Sequence, residues 1–338
     1  MGNVDSSCKY DIYSLCNLIR DSVDIRDNMY IINEELDSYE FKPIVDLRTN
    51  IDVMPIQNVG GFNIGMTASS CISIIIYNYL LLKGLQSVII PSKNFNYYTS
   101  IWKNRQLSNL NIYNILNDKL SLRDYLKSLK KFGICDEKKY SFQFETLKKH
   151  PNIECFIEGE QFKIDYFRVS KNISHIKYIL SNDKMLLISI SVFTNFLEKD
   201  VQTTGKLKKV NNTDSFIGLM SAIIVGYFEE EKLFLVRFSL GKYWGNKGYG
   251  YIHYDDIKFL INDIWIFEIN FNTLLNHNTF IQNNHNLYNY QMYQMHQKNQ
   301  NQAASMQNII NLNIGENEKE SNNSNSKKTY MRIGGGIS

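Results

Sequence analysis

The stretch SAIIVGYFEEEKLFLVRFSLGKYWGNKGYGYIHY, residues 221–254, carries most of the information about the fold of this chain. Residues 222–227 and 233–238 are β-branched and aromatic, and the acidic residues 229–231 separate them. This pattern predicts a hairpin of two strands. The loop after the hairpin contains Gly241, Gly245 and Gly248, which indicates a tight turn where a side chain would obstruct the backbone.

Outside this stretch, the first half of the chain favours helices and the second half favours strands. Residues 67–83 predict a buried helix that ends at Gly84, and residues 122–132 predict an amphipathic helix that Gly133 closes. The other predicted elements are a helix at residues 173–180 and strands at residues 185–193 and 249–254. Helices followed by strands, without alternating units, predict an α+β body.

The chain divides into three parts. Residues 1–40 predict a helical N-terminal lead-in, because Ile12, Leu15, Cys16 and Ile19 recur at helical spacing. Residues 41–272 hold the folded body. Residues 283–338 are rich in Asn, Gln, Ser and Lys, a composition that buries too little apolar surface to offset chain entropy, so we expect a disordered tail.

The composition argues against several classes of protein. Lys and Arg number 37 and Asp and Glu 34, a net charge of +3 that does not favour a nucleic-acid-binding protein. The five cysteines form no CxxC pair, so we expect free thiols in a reducing compartment and no cysteine-based zinc site. No secretory signal is recognisable, and the apolar run at residues 72–82 is too short to span a bilayer. No metal or other cofactor is predicted.

The N-terminal residues Met-Gly-Asn-Val-Asp-Ser fit the pattern for myristoylation of Gly2. The alternative is an unmodified polar terminus. One myristoyl chain gives only marginal membrane binding, so the motif implies a weak membrane association at most.

Three stretches, in order, resemble the papain-like cysteine peptidases, the C1 family. The first is VDLR at residues 45–48 with GGFNIGMTA at residues 60–68, and the second is SLRDYLK at residues 121–127 with KFGIC at residues 131–135. The third is AIIVGY at residues 222–227, followed by VRFSLG at residues 236–241 and YWGNKGY at residues 243–249. The resemblance covers residues 44–254 and extends to the peptidase C1-like proteins of giant DNA viruses.

This resemblance implies a papain-like two-lobe fold, with a helical left lobe built on a long central helix and an antiparallel, β-barrel-like right lobe. Catalysis in the family needs a cysteine thiolate at the start of the central helix and a histidine base from the other lobe. It also needs an asparagine that orients the histidine and a glutamine that donates to the oxyanion.

Aligned on these motifs, the four functional positions carry no catalytic group. The nucleophile position falls on Met66, the base on Met220, the orienting residue on Phe238 and the oxyanion donor on Gly60. A thioether is neither a thiolate nor a proton base, and phenylalanine forms no side-chain hydrogen bond. We therefore expect a catalytically inactive homologue, a pseudopeptidase. Its predicted cleft is lined by Gly61, Met66, Met220 and Leu240, the last at the position of the family's shielding tryptophan.

Two alternatives stay open. In the first, the chain is an active peptidase that uses Cys71, five residues beyond Met66, although the apolar neighbours of Cys71 favour a buried structural thiol. The polar residues considered as its helpers are Gln57, His175 and His253, whose predicted places favour other roles. In the second alternative, the inactive cleft binds extended peptides by strand addition.

The functional hypothesis is a structural or binding module that contacts protein partners or peptide segments and not nucleic acid. By analogy with the viral relatives, the expected location is the virion of a large DNA virus, and otherwise the cytoplasm. Secretion is not expected.

Overall fold

The computed structural model describes residues 12–48, 54–56, 58–59, 66–84, 88–105 and 119–270. Four residues singled out by the sequence lie outside these ranges: Gly2, Gln57, Gly60 and Gly61. The predicted tail at residues 283–338 also lies outside them. No helix within the described ranges is both long enough and apolar enough to cross a membrane.

Helices dominate the described residues between 66 and 162. The helix that begins directly after Met66 is α2 (Thr67–Leu82). The others are α1 (Ile12–Leu15), α3 (Lys93–Arg105), α4 (Leu122–Phe132), α5 (Phe144–Leu147), α6 (Ile153–Gly159), α7 (Ile173–Ser181), α8 (Lys199–Thr204) and α9 (Ile257–Leu260). Short 3₁₀ turns occur at Glu160–Phe162, Thr194–Leu197 and Tyr254–Asp256.

Helix α2 is the predicted buried helix. Most of its residues are buried, including polar ones such as Ser69 and Ser73, as is typical of a helix surrounded by protein on all sides. Its last turn is followed by Gly84 at φ +63°, a left-handed conformation that glycine adopts without strain. The predicted helix and its glycine stop are confirmed.

Helix α4 has the predicted bounds because both of its ends are specified locally. Ser121 and Asp124 form a capping box in which the Ser121 backbone N–H donates to the Asp124 carboxylate at 3.0 Å. Such a cap stabilises a helix by about 1 kcal/mol. At the other end Gly133 has φ +63° and closes the last turn.

The strands form one antiparallel sheet, which confirms the strand-rich second half. They are β1 (Ile44–Asp46), β2 (Ile164–Arg168), β3 (Leu186–Phe193), β4 (Phe216–Phe228), β5 (Leu233–Arg237), β6 (Tyr249–His253) and β7 (Ile261–Ile269). Their order is β2-β7-β3-β4-β5-β6, and β1 pairs with β4. The predicted hairpin is β4 with β5.

Strand β4 starts six residues before the predicted strand and therefore has two parts with different neighbours. β3 pairs with β4 from Phe216 to Ile224, whereas β5 pairs with it only from Ile223 onward. The edge of residues 216–222 that faces away from β3 is thus left without a β5 partner. Met220 lies in this part of the strand.

The lead-in is a helix only at Ile12–Leu15, so the predicted helical lead-in is wrong for the residues that follow. The physical reason is the use of its backbone donors. Leu18 N donates to Leu219 O and Ile19 N donates to Leu120 O, both at 3.1 Å. The segment therefore forms bridges to other elements instead of hydrogen bonds within a helix.

Buried charges fix the lead-in to the body. Arg123 donates to Asp27, and Arg168 donates to both Asp27 and Asp263 at 3.1 Å and 2.6 Å. The Arg123 backbone N–H also donates to the Asp21 carboxylate at 3.1 Å. Because these carboxylates come from the lead-in and from β7 while Arg123 comes from α4 and Arg168 from β2, one ion-pair network joins four parts of the chain.

Candidate functional site

One hydrogen bond connects the start of α2 to β4. Ser221 N donates to Thr67 Oγ1 at 3.1 Å. Thr67 follows Met66, which is the N-cap of α2, and Ser221 follows Met220. The residues aligned with the nucleophile and the base are therefore the immediate neighbours of the two residues that this bond joins.

A second connection joins α2 to the turn after β5. Ser239 Oγ donates to Ser70 Oγ at 3.0 Å, and Ser239 O accepts a hydrogen bond from Val59 N at 3.2 Å. Ser239 lies between Phe238 and Leu240 in the sequence. Helix α2, β4 and this turn thus meet in one region through hydroxyl groups of serine and threonine.

The described side chains at the aligned positions are apolar and buried. Met66 and Phe238 are 0% exposed, and Met220 and Leu240 are 1% exposed. The Phe238 ring packs in an aromatic cluster, with centroid distances of 4.6 Å to Trp244 and 5.9 Å to Phe196. Direct contact between the two methionine side chains stays a prediction.

The described residues where α2, β4 and the turn after β5 meet give little support to a metal site or to a serine or threonine nucleophile. Among the described residues there is no group of three or more His, Cys, Asp or Glu side chains that could hold a metal ion. Among the described residues, the hydroxyls that meet here are those of Thr67, Ser70, Ser221 and Ser239, which take part in hydrogen bonds with one another or with the backbone. A hydroxyl without a neighbouring base is a weak nucleophile.

Cys71 is the thiol that lies in this region. It is fully buried, and burial raises its pKa to about 11, an effect that hydrogen bonds with Ser221 and Ser239 oppose only in part. Within the described part of the chain, the charged group that acts on Cys71 is the Arg237 guanidinium. At neutral pH Cys71 is therefore a protonated thiol, the unreactive form.

The rate of alkylation of Cys71 tests whether this thiol is buried and protonated. At pH 9 a thiol with a pKa of 9.0 is half ionised, whereas one with a pKa of about 11 is ionised to about one part in a hundred. We expect iodoacetamide to modify Cys71 at least about fiftyfold more slowly in the native protein than in urea, as measured by peptide mass spectrometry. A native rate equal to the unfolded rate would contradict a buried, protonated Cys71.

The histidines considered as helpers lie on other elements. His175 is in α7, where it borders a cavity with Glu34, Glu35 and Asp37. His253 ends β6, and its Nδ1 accepts a hydrogen bond from Asp255 N at 3.3 Å. Neither is among the partners of Cys71.

The lead-in covers the open edge of β4 beside the site, which the sequence did not predict. Leu18 N donates to Leu219 O, one residue before Met220. A Cβ at Gly218 would lie 2.8 Å from Cys16 Cβ, so the two segments are in close contact. A glycine within a strand often marks such an approach of another backbone, and Gly218 was the available signal.

Comparisons with known proteins agree on the architecture. Xylellain, a cysteine protease from Xylella fastidiosa, superposes with a TM-score of 0.67 at 24% identity over 76% of this chain and 97% of its own. A procathepsin B from Trypanosoma congolense gives a TM-score of 0.56 at 13% identity over 76% of this chain and 86% of its own. These similarities establish the papain-like fold of helices and an antiparallel sheet. No family model matches the chain.

A relative found by sequence similarity agrees with these structural similarities. An uncharacterised peptidase C1-like protein of Acanthamoeba polyphaga mimivirus is 28% identical over 240 residues, which is 67% of this chain and 74% of that protein. The relative and the fold together support placing this chain with the peptidase C1-like proteins.

Proposed function

We propose that this chain is a pseudopeptidase, a peptidase C1-like protein without peptidase activity that acts as a structural or binding module. One observation carries the proposal: hydrogen bonds join α2 to β4 and to the turn after β5, and the described residues aligned with the catalytic positions there are apolar and buried. Met66, Met220 and Phe238 supply no thiolate, no base and no orienting amide. Cys71 is a poor replacement for them, because its pKa is raised and its partners among the described residues include no histidine.

The lead-in favours a structural role over the capture of extended peptides. Strand addition needs free backbone groups at an exposed edge. At the edge of β4 beside Met220, the carbonyl of Leu219 already accepts from Leu18, and Ser221 N already donates to Thr67. A peptide would have to displace a segment that buried ion pairs hold in place.

The viral relative motivates the proposed location and the proposed protein partners. The similarity to a mimivirus protein supports a virus-associated protein, and we extend the proposal to a virion component that contacts other proteins. Myristoylation of Gly2 would add a weak membrane attachment.

The proposal is tested by treating the full chain with fluorogenic peptide substrates and with a peptidyl epoxide that alkylates cysteine nucleophiles. We expect no hydrolysis above the buffer rate and no covalent adduct by intact mass spectrometry, because no thiolate is available. An active papain-type enzyme serves as the positive control.

The alternative hypothesis predicts a different outcome. An adduct that Cys71→Ala abolishes and Met66→Ala retains would replace the pseudopeptidase with an active enzyme that uses Cys71. Specific capture of peptides from a library that Met66→Ala or Met220→Ala weakens would instead favour a peptide-binding module.

A further inference from the structure

Two backbone segments of the helical region cross in near contact, and each carries a cysteine. Gly133 follows α4, and Gly159 ends α6. A Cβ at Gly133 would lie 1.7 Å from Gly159 O, and a Cβ at Gly159 would lie 2.2 Å from Phe132 O. Cys135 lies two residues after Gly133, and Cys155 lies one helical turn before Gly159.

Polar contacts also join the segment after Gly133 to α6. Asp136 N donates to Glu158 Oε2 at 2.7 Å, and Lys139 forms an ion pair with Glu158 at 3.0 Å. The segment that carries Cys135 is therefore fixed against α6 on both sides of that cysteine.

The two thiols are buried, and each affects the ionisation of the other. Both residues are 0% exposed. The neighbouring Cys135 thiol lowers the pKa of Cys155, and burial raises the pKa of Cys135. The Cys155 thiol in turn donates to Asn152 Oδ1 at 3.0 Å. Each of the two thiols therefore has a second thiol beside it.

We propose that Cys135 and Cys155 are a disulfide site, which a thiol oxidant such as hydrogen peroxide or a small-molecule disulfide closes. Both are free thiols in the structure. With peroxide, the thiolate of one cysteine attacks one oxygen, the O–O bond breaks, and water and a sulfenic acid result. The sulfur of the other cysteine then displaces the hydroxyl group as a second water, so that two thiols and one peroxide give one disulfide and two waters.

The disulfide would join two segments of the helical region covalently. It would close the loop of residues 136–154, which contains α5, and link the end of α4 to α6. A disulfide of this loop length stabilises chiefly by restricting the unfolded chain. The free, reduced thiols expected from the cysteine spacing would then be one of two states of this pair.

The test uses the full, reduced chain treated with one equivalent of hydrogen peroxide and, separately, with oxidised glutathione. Remaining thiols are alkylated in urea and the peptides are mapped by mass spectrometry. We expect a Cys135–Cys155 linked peptide, and a rise in Tm of about 5–10 °C that dithiothreitol reverses.

Variants separate this pair from the other buried thiols. Cys135→Ser and Cys155→Ser should abolish the Tm rise, whereas Cys16→Ala, at another buried cysteine, should keep it. Complete alkylation of both Cys135 and Cys155 after oxidation of the unmodified chain would overturn the proposal, and so would their separate conversion to sulfinic acids. A linked peptide without a Tm rise would overturn the stabilising role of the bond.

Discussion

Replacing Arg123 with alanine should lower the free energy of unfolding by about 3–5 kcal/mol, because it removes the more deeply buried of the two cations that pair with Asp27 and leaves that carboxylate with Arg168 alone. The Arg123 side chain is 6% exposed and pairs with Asp27, whose side chain is 8% exposed. It also donates to Ser22 O at 2.6 Å, so the variant loses a lead-in backbone contact as well. The measurement is urea unfolding followed by circular dichroism.

The same segment provides a matched control. Arg26 pairs with Asp24 on the surface, and its side chain is 82% exposed. Arg26→Ala should leave the unfolding midpoint unchanged, since exposed pairs contribute little. If Arg123→Ala and Arg26→Ala behaved alike, the ion-pair network would not anchor the lead-in.

Replacing Phe238 with asparagine, the residue that the family alignment places there, should destabilise the protein by about 3–5 kcal/mol. The aromatic packing on Trp244 and Phe196 is lost, and an amide is buried among rings that offer it little hydrogen bonding. The expected result is a lower urea midpoint without any gain of peptidase activity.

Phe238→Leu is the matched control, because it removes the ring without adding a polar group. We expect a smaller loss, about 1–2 kcal/mol. Equal midpoints for the asparagine and leucine variants would mean that the pocket accommodates an amide, and this would count against a cleft rebuilt as apolar core.

Much of the fold could be predicted because its signals are local. The ends of α2 and α4 could be predicted because Gly84 and Gly133 adopt the left-handed conformation that ends a helix. The hairpin of β4 and β5 could be predicted from two β-branched and aromatic segments separated by an acidic turn. The helix prediction for the lead-in failed because the spacing of its apolar residues is typical of a helix. In the structure, the backbone N–H groups of Leu18 and Ile19 instead donate to Leu219 and Leu120. Such long-range bridges leave no mark on local periodicity.

For the candidate site, the structure bears on the neighbours of the aligned residues, and the assignment of Met66, Met220 and Phe238 to catalytic positions stays a prediction. The motifs located Met66, Met220 and Phe238, and the structure places the residues beside them in one hydrogen-bonded region. The serine and threonine hydroxyls that make these bonds were not predicted, because small polar residues in apolar segments have many uses. The thiol pair of Cys135 and Cys155 was missed for a similar reason, since residues 20 positions apart meet only after α4 and α6 pack.

The central claim is that Met66 and Met220 occupy the positions of a nucleophile and its base. The most direct test compares Met66→Cys with the double variant Met66→Cys, Met220→His, following the pH dependence of alkylation of the introduced thiol by peptide mass spectrometry. An imidazolium beside the thiol should make its pKa lower by about 1–3 in the double variant than in the single one. The same pKa in both variants would contradict the claim, since the two positions would then not face each other.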